Sequence, residues 1–367
     1  MNIETFLSSL HREATNQKTW LDELKEESLP LVMWGCGDVG RTVLEYLTDN
    51  NITVSYIWVD GATGKDKFGD IDIYDLPDII QNCAKFNVIL GHSCYEKGRE
   101  LRAKCSNIQK IFYAFGIYGG PICVPYSQIE KESSRFVRLC NHLADEVSVK
   151  NLIAYLNTAM TGNAEYVLDI FKNSMNCYQN DVYVVGADDI FLDIGAYDGD
   201  SIRLFLQATG GKYRKIISME PDEENYLALS KYVAQNRLKN VVTSMLGAWN
   251  KREDLCFSTG REQASSVYTE KEKDMAQIVT CYADRIDHIF DEEITLIKIN
   301  LSSGAKEGIE GCEEIIKKYR PKLAVVAGYD IYTVLWLFEY LFSLNENYKF
   351  YLRFNKGMPS TFTMYII

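Results

Sequence analysis

The sequence predicts an α/β protein made of two parallel-sheet domains, and three observations carry that expectation. A strand-like apolar run, a glycine-rich turn and a helical stretch occur in that order twice. The first is Leu31–Trp34 into Gly35-Cys36-Gly37-Asp38-Val39-Gly40, and the second is residues 191–194 into Gly195-Ala196-Tyr197-Asp198-Gly199-Asp200. This is how a parallel sheet opens a binding edge at the carboxyl ends of its strands. Strand-like and helical stretches alternate after each turn, the pattern of crossover connections. At 367 residues the chain is long enough for two cores.

Bulk properties narrow the function. Hydrophobic residues at 47% and charged residues at 25% place the chain among folded globular proteins rather than disordered ones. A net charge of -12, with no basic patch to override it, excludes nucleic acid as the expected partner. The ten cysteines stand singly with no C-x-x-C pair, a usage that reads as a reducing cytoplasm. The four histidines fall at no zinc-ligand spacing, so no metal is expected. The amino terminus lacks a basic start followed by an apolar core, and no apolar run approaches the roughly 20 residues of a membrane span.

Residues 3–27 have helical spacing, with Phe6, Leu10, Trp20, Leu21 and Leu24 on one stripe. They read as a leading helix or two packed on the adjoining sheet domain, with a homodimer contact as the alternative. The turn after Leu31–Trp34 is a full G-x-G-x-x-G, and a second strand at 53–59 ends at Asp60, about twenty residues on, where a dinucleotide fold keeps its ribose acid. Further strands at 88–91 and 111–115 complete a Rossmann-like domain over 1–125. Gly35, Gly37, Gly40 and Asp60 are its candidate site, for a nucleotide or nucleotide-linked sugar. The alternative is that the glycines only allow close strand-to-helix packing. A nicotinamide-linked oxidoreductase is the weaker reading of the same motif, since no hydride-transfer residues accompany it.

Gly119-Gly120-Pro121 marks a break, and 126–180 reads as a helical connector able to cover the active-site edge of the second domain. The second domain, 181–367, begins with the strand ending at Asp193. Its turn lacks G-x-G-x-x-G spacing, and the next strand, 216–219, ends at Glu220-Pro221-Asp222. Gly195 and Gly199 let backbone approach a ligand, and Glu220 is placed to accept both hydroxyls of a ribose. A ligand with ribose and no phosphate, such as S-adenosylmethionine, suits this turn better than a dinucleotide. The bland reading is a tight turn and nothing more. Strands at 241–246, 294–300 and 323–327 come next, then a closing antiparallel pair at 348–354 and 362–367, with 258–273 as a loop over the cleft.

From about 177 onward the chain resembles the FkbM family of S-adenosylmethionine-dependent methyltransferases. The resemblance runs through Asp193-Ile-Gly-Ala-Tyr-Asp-Gly-Asp, Glu220-Pro221-Asp222, Gly247-Ala248-Trp249, Ser265-Ser266, Asp284, Lys298, Gly311 and Arg320-Pro321. It implies a class I methyltransferase fold of seven strands with the last pair antiparallel, and O-methylation of a sugar or similar small polar hydroxyl acceptor. It places the methionine part of the cofactor on Asp193, Gly195, Ala196, Tyr197 and Gly199, the ribose on Glu220 with Pro221 and Asp222 beside it, and the adenine near Ala248 and Trp249. Trp249 reads equally as a core residue.

One stretch departs from the family pattern. Where the family reads Lys-Met-Asp-Ile-Glu-Gly-Ala-Glu, this chain has Lys298-Ile299-Asn300-Leu301-Ser302-Ser303-Gly304-Ala305. An attacking alcohol must lose its proton, and the amide of Asn300 cannot take it. Asp330, Asp284 and Tyr329 are the remaining candidate bases, with Lys298 as an electrostatic partner. Each has a structural alternative: Asp284 and Asp330 as helix caps, Lys298 as one half of an ion pair. A catalytically degenerate protein that keeps the cofactor pocket as a sensor or assembly partner is therefore the alternative function.

Overall fold

The computed structural model describes residues 1–16, 18–62, 66–92, 94–117, 123–172, 174–259, 266–267, 277–301, 304–355 and 362–367. The turn at 119–121, most of the loop at 258–273, Ser302, Ser303 and the turn joining the last two strands lie outside the described residues.

The first sheet has six strands in the order Lys67–Phe68, Ile71–Tyr74, Tyr56–Trp58, Leu31–Trp34, Phe86–Leu90, Ile108–Phe112, parallel except for the outermost hairpin strand. The second has seven, in the order Phe350–Arg353, Phe362–Ile366, Lys322–Ala327, Leu296–Ile299, Ile190–Ile194, Lys215–Met219, Val241–Ser244. Its antiparallel member is Phe362–Ile366, between Lys322–Ala327 and Phe350–Arg353. Ile190–Ile194 and Leu296–Ile299 are buried along their whole length, as strands covered on both faces require. They pair in register with Lys298 opposite Asp193, and the order of successive strands changes direction between them. Such a switch point is where open α/β sheets bind ligands.

The run 241–246 departs from expectation. It does not continue into Gly247–Ala248 within the large sheet but stops at Ser244. Gly247–Ala248 pairs instead with Gln277–Asp284 in a separate four-stranded sheet that includes Glu253–Thr259 and Ser266–Val267. Two residues are too short a strand to show a period, so only long-range pairing reveals the switch.

The leading stripe packs within the chain: Phe6, Leu10, Trp20 and Leu24 are all buried, and Phe6 stacks on Phe136 of helix Ser133–His142 at 5.6 Å. Helix Glu146–Thr161 is buried on most of its circumference and lies along Phe350–Arg353. Its polar residues explain why. Asn151 Nδ2 donates to Leu352 O at 2.8 Å, and Ser148 Oγ accepts from Leu352 N at 3.0 Å. The helix thus pairs backbone groups that an edge strand would otherwise leave bare. Arg353, 9% exposed, adds ion pairs to Asp145 and Asp181. Further along, Tyr155 Oη donates to Gly328 O at 3.1 Å, which brings the connector to the carboxyl edge of the large sheet.

Candidate active site

The strand Ile190–Ile194 delivers Asp193, fully buried, to the sheet's carboxyl edge, and the register brings Lys298 beside it. Lys298 Nζ lies 2.9 Å from Asp193 Oδ1 and donates to Gly195 O at 2.7 Å. Both carboxylate oxygens are buried, with the Lys298 ammonium and the Ser201 side chain beside them. Burial pushes the Asp193 carboxyl up to about 6, with the Lys298 ammonium opposing. Burial also works against the ammonium of Lys298, but the carboxylates of Asp193 and Asp200 overcome it and hold the lysine protonated. The pair is therefore ionised at neutral pH.

The turn after Asp193 is shaped by necessity. Gly195 has φ +73°, and a Cβ there would stand 2.3 Å from Asn300 O, so no other residue fits. Gly195 N and Ala196 N both donate to Met219 O at 3.0 Å, which draws the turn over the end of the neighbouring strand. Tyr197 N then donates to Glu220 Oε2 at 2.8 Å, and Asp222 N to Glu220 Oε1 at 3.1 Å. Glu220 is buried, and each of its oxygens keeps a further lone pair for a ligand donor. Burial raises its carboxyl above the usual range, with the two backbone donors opposing. Gly199 caps helix Asp200–Thr209, and Asp222 caps helix Glu223–Gln235 through Asn225 N.

The residues singled out for catalysis are placed differently from one another. Lys298 directs its ammonium to Asp193 and the Gly195 carbonyl, which makes it a positioning residue for the turn. Asp330 caps helix Ile331–Leu344, with Oδ1 accepting from Thr333 N at 2.8 Å and Oδ2 from the Thr333 hydroxyl. Asp284 stands in the small sheet, accepting from Arg285 N and Tyr282 Oη. Asn300 N donates to Ile194 O, which seats the residue against the cofactor turn, and its Oδ1 accepts from Tyr329 Oη at 3.0 Å. In this orientation the two Nδ2 protons remain as donors. Tyr329 is itself no base, since burial pushes its phenol up to about 12.

Trp249 packs as scaffold. Its Nε1 donates to Glu253 Oε1 at 2.6 Å, its amide to Asp284 O at 3.0 Å, and its ring covers Gly304. Gly311 has an ordinary φ of -70°, yet a Cβ there would stand 2.0 Å from Trp249 O. Gly311→Ala should therefore force the two backbones apart at a cost of about 1–3 kcal/mol, seen as a lowered melting temperature. A mutant melting with the parent would show that this contact is not tight.

In the first sheet, Gly40 and Gly91 are explained by packing, since a Cβ on either would meet Gly35 O at 2.7 and 2.4 Å, and Gly35 itself has φ +105°. Gly37 has no atom within 4 Å of its missing Cβ and caps helix Asp38–Asp49. Asp60 is exposed. His92 Nδ1 accepts from Cys94 N, and its Nε2 is buried without a partner among the described residues. It stands two residues past the strand Phe86–Leu90.

A seven-stranded sheet with one reversed strand, a glycine turn after its central strand and an acid closing the next strand define a class I methyltransferase fold. Residues 193–350 match the family model described as Methyltransferase FkbM domain. In shape, the chain is similar to a methyltransferase FkbM from Methylobacillus flagellatus KT, with a TM-score of 0.71 at 16% identity, over 99% of this chain and 98% of that one. The amino-terminal sheet and connector are thus part of the shared shape. An rRNA methylase from Streptococcus thermophilus (TM-score 0.32, 15% identity, 54% of this chain, 91% of that one) is far more distant. So is a putative methyltransferase from Streptococcus mutans solved with SAH (TM-score 0.31, 13% identity, 54% of this chain, 93% of that one). None of the curated proteins matches the sequence. Among the described residues, no group of three or more His, Cys, Asp or Glu could hold a metal ion, and no helix is long and apolar enough to cross a membrane.

Proposed function

We propose that the chain is an S-adenosylmethionine-dependent methyltransferase acting on a hydroxyl of a small polar acceptor, a sugar or nucleotide-linked sugar. The observation that carries this reading is Glu220: a buried carboxylate at a strand tip, held by one backbone donor on each oxygen, with one lone pair per oxygen left for a vicinal diol. The forced Gly195 turn, with the Asp193 carboxylate beside it, fits the amino-acid end of the same ligand. When bound, the cofactor supplies a sulfonium methyl open to in-line attack. Asn300 Nδ2 would donate to the acceptor and orient it, while Tyr329 keeps its proton and fixes the amide. Orientation of this kind is worth about 7–11 kcal/mol, more than the roughly 3–5 kcal/mol of a general base, so transfer can proceed without a side-chain base, the hydroxyl proton passing to water as the C–O bond forms. Titration calorimetry with S-adenosylmethionine and S-adenosylhomocysteine tests the reading, and absence of binding by both would end it.

A second reading, binding without turnover, is favoured by one observation: the residue following strand Leu296–Ile299 is the amide Asn300, which cannot take a proton. Cofactor binding together with failure to methylate any acceptor in a sugar panel would support it over the first.

Cofactor affinity should depend on pH. Ribose hydroxyls are held best by an ionised Glu220, whose carboxyl is raised by burial, and the turn is held by the Asp193–Lys298 pair, whose acid sits at about 6. Both acids gain protons as pH falls from 7 to 5, so affinity should weaken over that range. An affinity unchanged between pH 7 and pH 5 would contradict the assignment of these two acids.

A further inference from the structure

A cavity of about 830 Å³ lies between the edge strand Ile108–Phe112, the leading helices and the corner joining helices Glu146–Thr161 and Glu165–Lys172, and it shares no lining residue with the Glu220 turn. Trp20, 4% exposed, lines it, and its Nε1 has no hydrogen-bond partner among the described residues. The indole is seated there by Gly162, the left-handed cap of helix Glu146–Thr161, which also lines the cavity. A Cβ on Gly162 would stand 2.1 Å from Trp20 Cδ1 and 2.5 Å from Nε1.

Some of the lining charges are already satisfied. Arg99 is paired with Glu165 and Asp169, and Tyr113 Oη donates to Glu165 Oε1 at 2.7 Å. Lys18 and Lys110 reach Glu26 and Glu27. Glu13, Glu23 and Arg102 remain, with no ion pair or side-chain hydrogen bond to any described residue. Burial raises the Tyr166 phenol, and the negative charges of Glu13 and Glu23 add to that effect.

This remainder selects a ligand class. Two unpaired carboxylates repel a phosphate or carboxylate ligand, while the Arg102 guanidinium calls for an acceptor that a metal ion or an alkylamine cannot give. A hydroxyl both donates and accepts, and vicinal hydroxyls match the two-pronged carboxylate and guanidinium. The half-buried Tyr166 ring at the cavity wall suits the C–H face of a sugar ring. We propose that this cavity binds a neutral carbohydrate of one or two pyranose rings, a size that pockets of about 300–1,000 Å³ accommodate. The proposal does not rest on methyl transfer.

The full chain is titrated calorimetrically with maltose, cellobiose and lactose, with ADP as the phosphate-bearing comparison. The proposal expects a disaccharide to bind, and Glu23→Gln and Arg102→Ala each to weaken it about 10- to 100-fold, the loss of a hydrogen bond to a charged group. Melting temperatures of both variants serve as the control for folding, and neither residue belongs to the Glu220 site. Three outcomes overturn the proposal: no disaccharide binding at about 10 mM, roughly ten times the Kd of a weak millimolar site, binding of ADP in preference to every sugar, or sugar affinity untouched by either variant.

Discussion

Glu220→Ala is expected to weaken S-adenosylhomocysteine binding by roughly 10²- to 10⁴-fold while the chain stays folded. Two hydrogen bonds from ribose hydroxyls to an ionised, buried carboxylate are each worth about 1.5–3 kcal/mol, or about 3–6 kcal/mol together. The carboxylate also accepts from Tyr197 N and Asp222 N, so truncation frees the turn and the start of helix Glu223–Gln235 as well. Glu220→Gln separates the two effects. Glutamine keeps one acceptor but sets an NH₂ group against a backbone N–H, so its loss should fall between parent and alanine. Calorimetry reads the affinity and thermal melting reads the fold. Binding by Glu220→Ala within a few-fold of the parent would remove the ribose assignment.

What the sequence shows and what it hides divide along physical lines. Asp193, Gly195, Gly199 and Glu220 are legible because each sits at a strand tip or in a turn, where a local pattern states the backbone requirement. The reversal of the last strand is legible from two apolar runs flanking a short turn. The contact Lys298 makes is not, because it depends on register with a strand about a hundred residues earlier, and only pairing across the sheet puts its ammonium on Asp193. Nor is the sealing of the edge strand by helix Glu146–Thr161: apolar periodicity cannot flag Ser148 and Asn151, whose burial is compensated by hydrogen bonds to Leu352. The cap at Asp330 has a readable signal, since Asp330 followed by Thr333 at the start of an apolar helix is a capping spacing.

Asn300→Asp is the change expected to raise turnover most, by roughly 10²- to 10⁴-fold if the acceptor is an alcohol, the range a well-placed general base supplies. The substitution keeps the shape of the side chain and its bond from Tyr329, because a carboxylate oxygen accepts the phenol proton as the amide oxygen does. It replaces the two Nδ2 donors with an acceptor that takes the hydroxyl proton as the new C–O bond forms, at a residue already seated against the cofactor turn through Asn300 N and Ile194 O. A base introduced this way also adds an acid limb to the pH–rate profile, absent from the parent, which separates proton abstraction from a change in acceptor binding. The measurement is methyl transfer to a sugar panel by both proteins across about pH 5–9. A variant that is no faster, or slower, with no new acid limb, would mean that the chain relies on Asn300 as a donor. Its acceptor would then carry a nucleophile, such as a neutral amine or an ionised oxygen, that attacks without first giving up a proton.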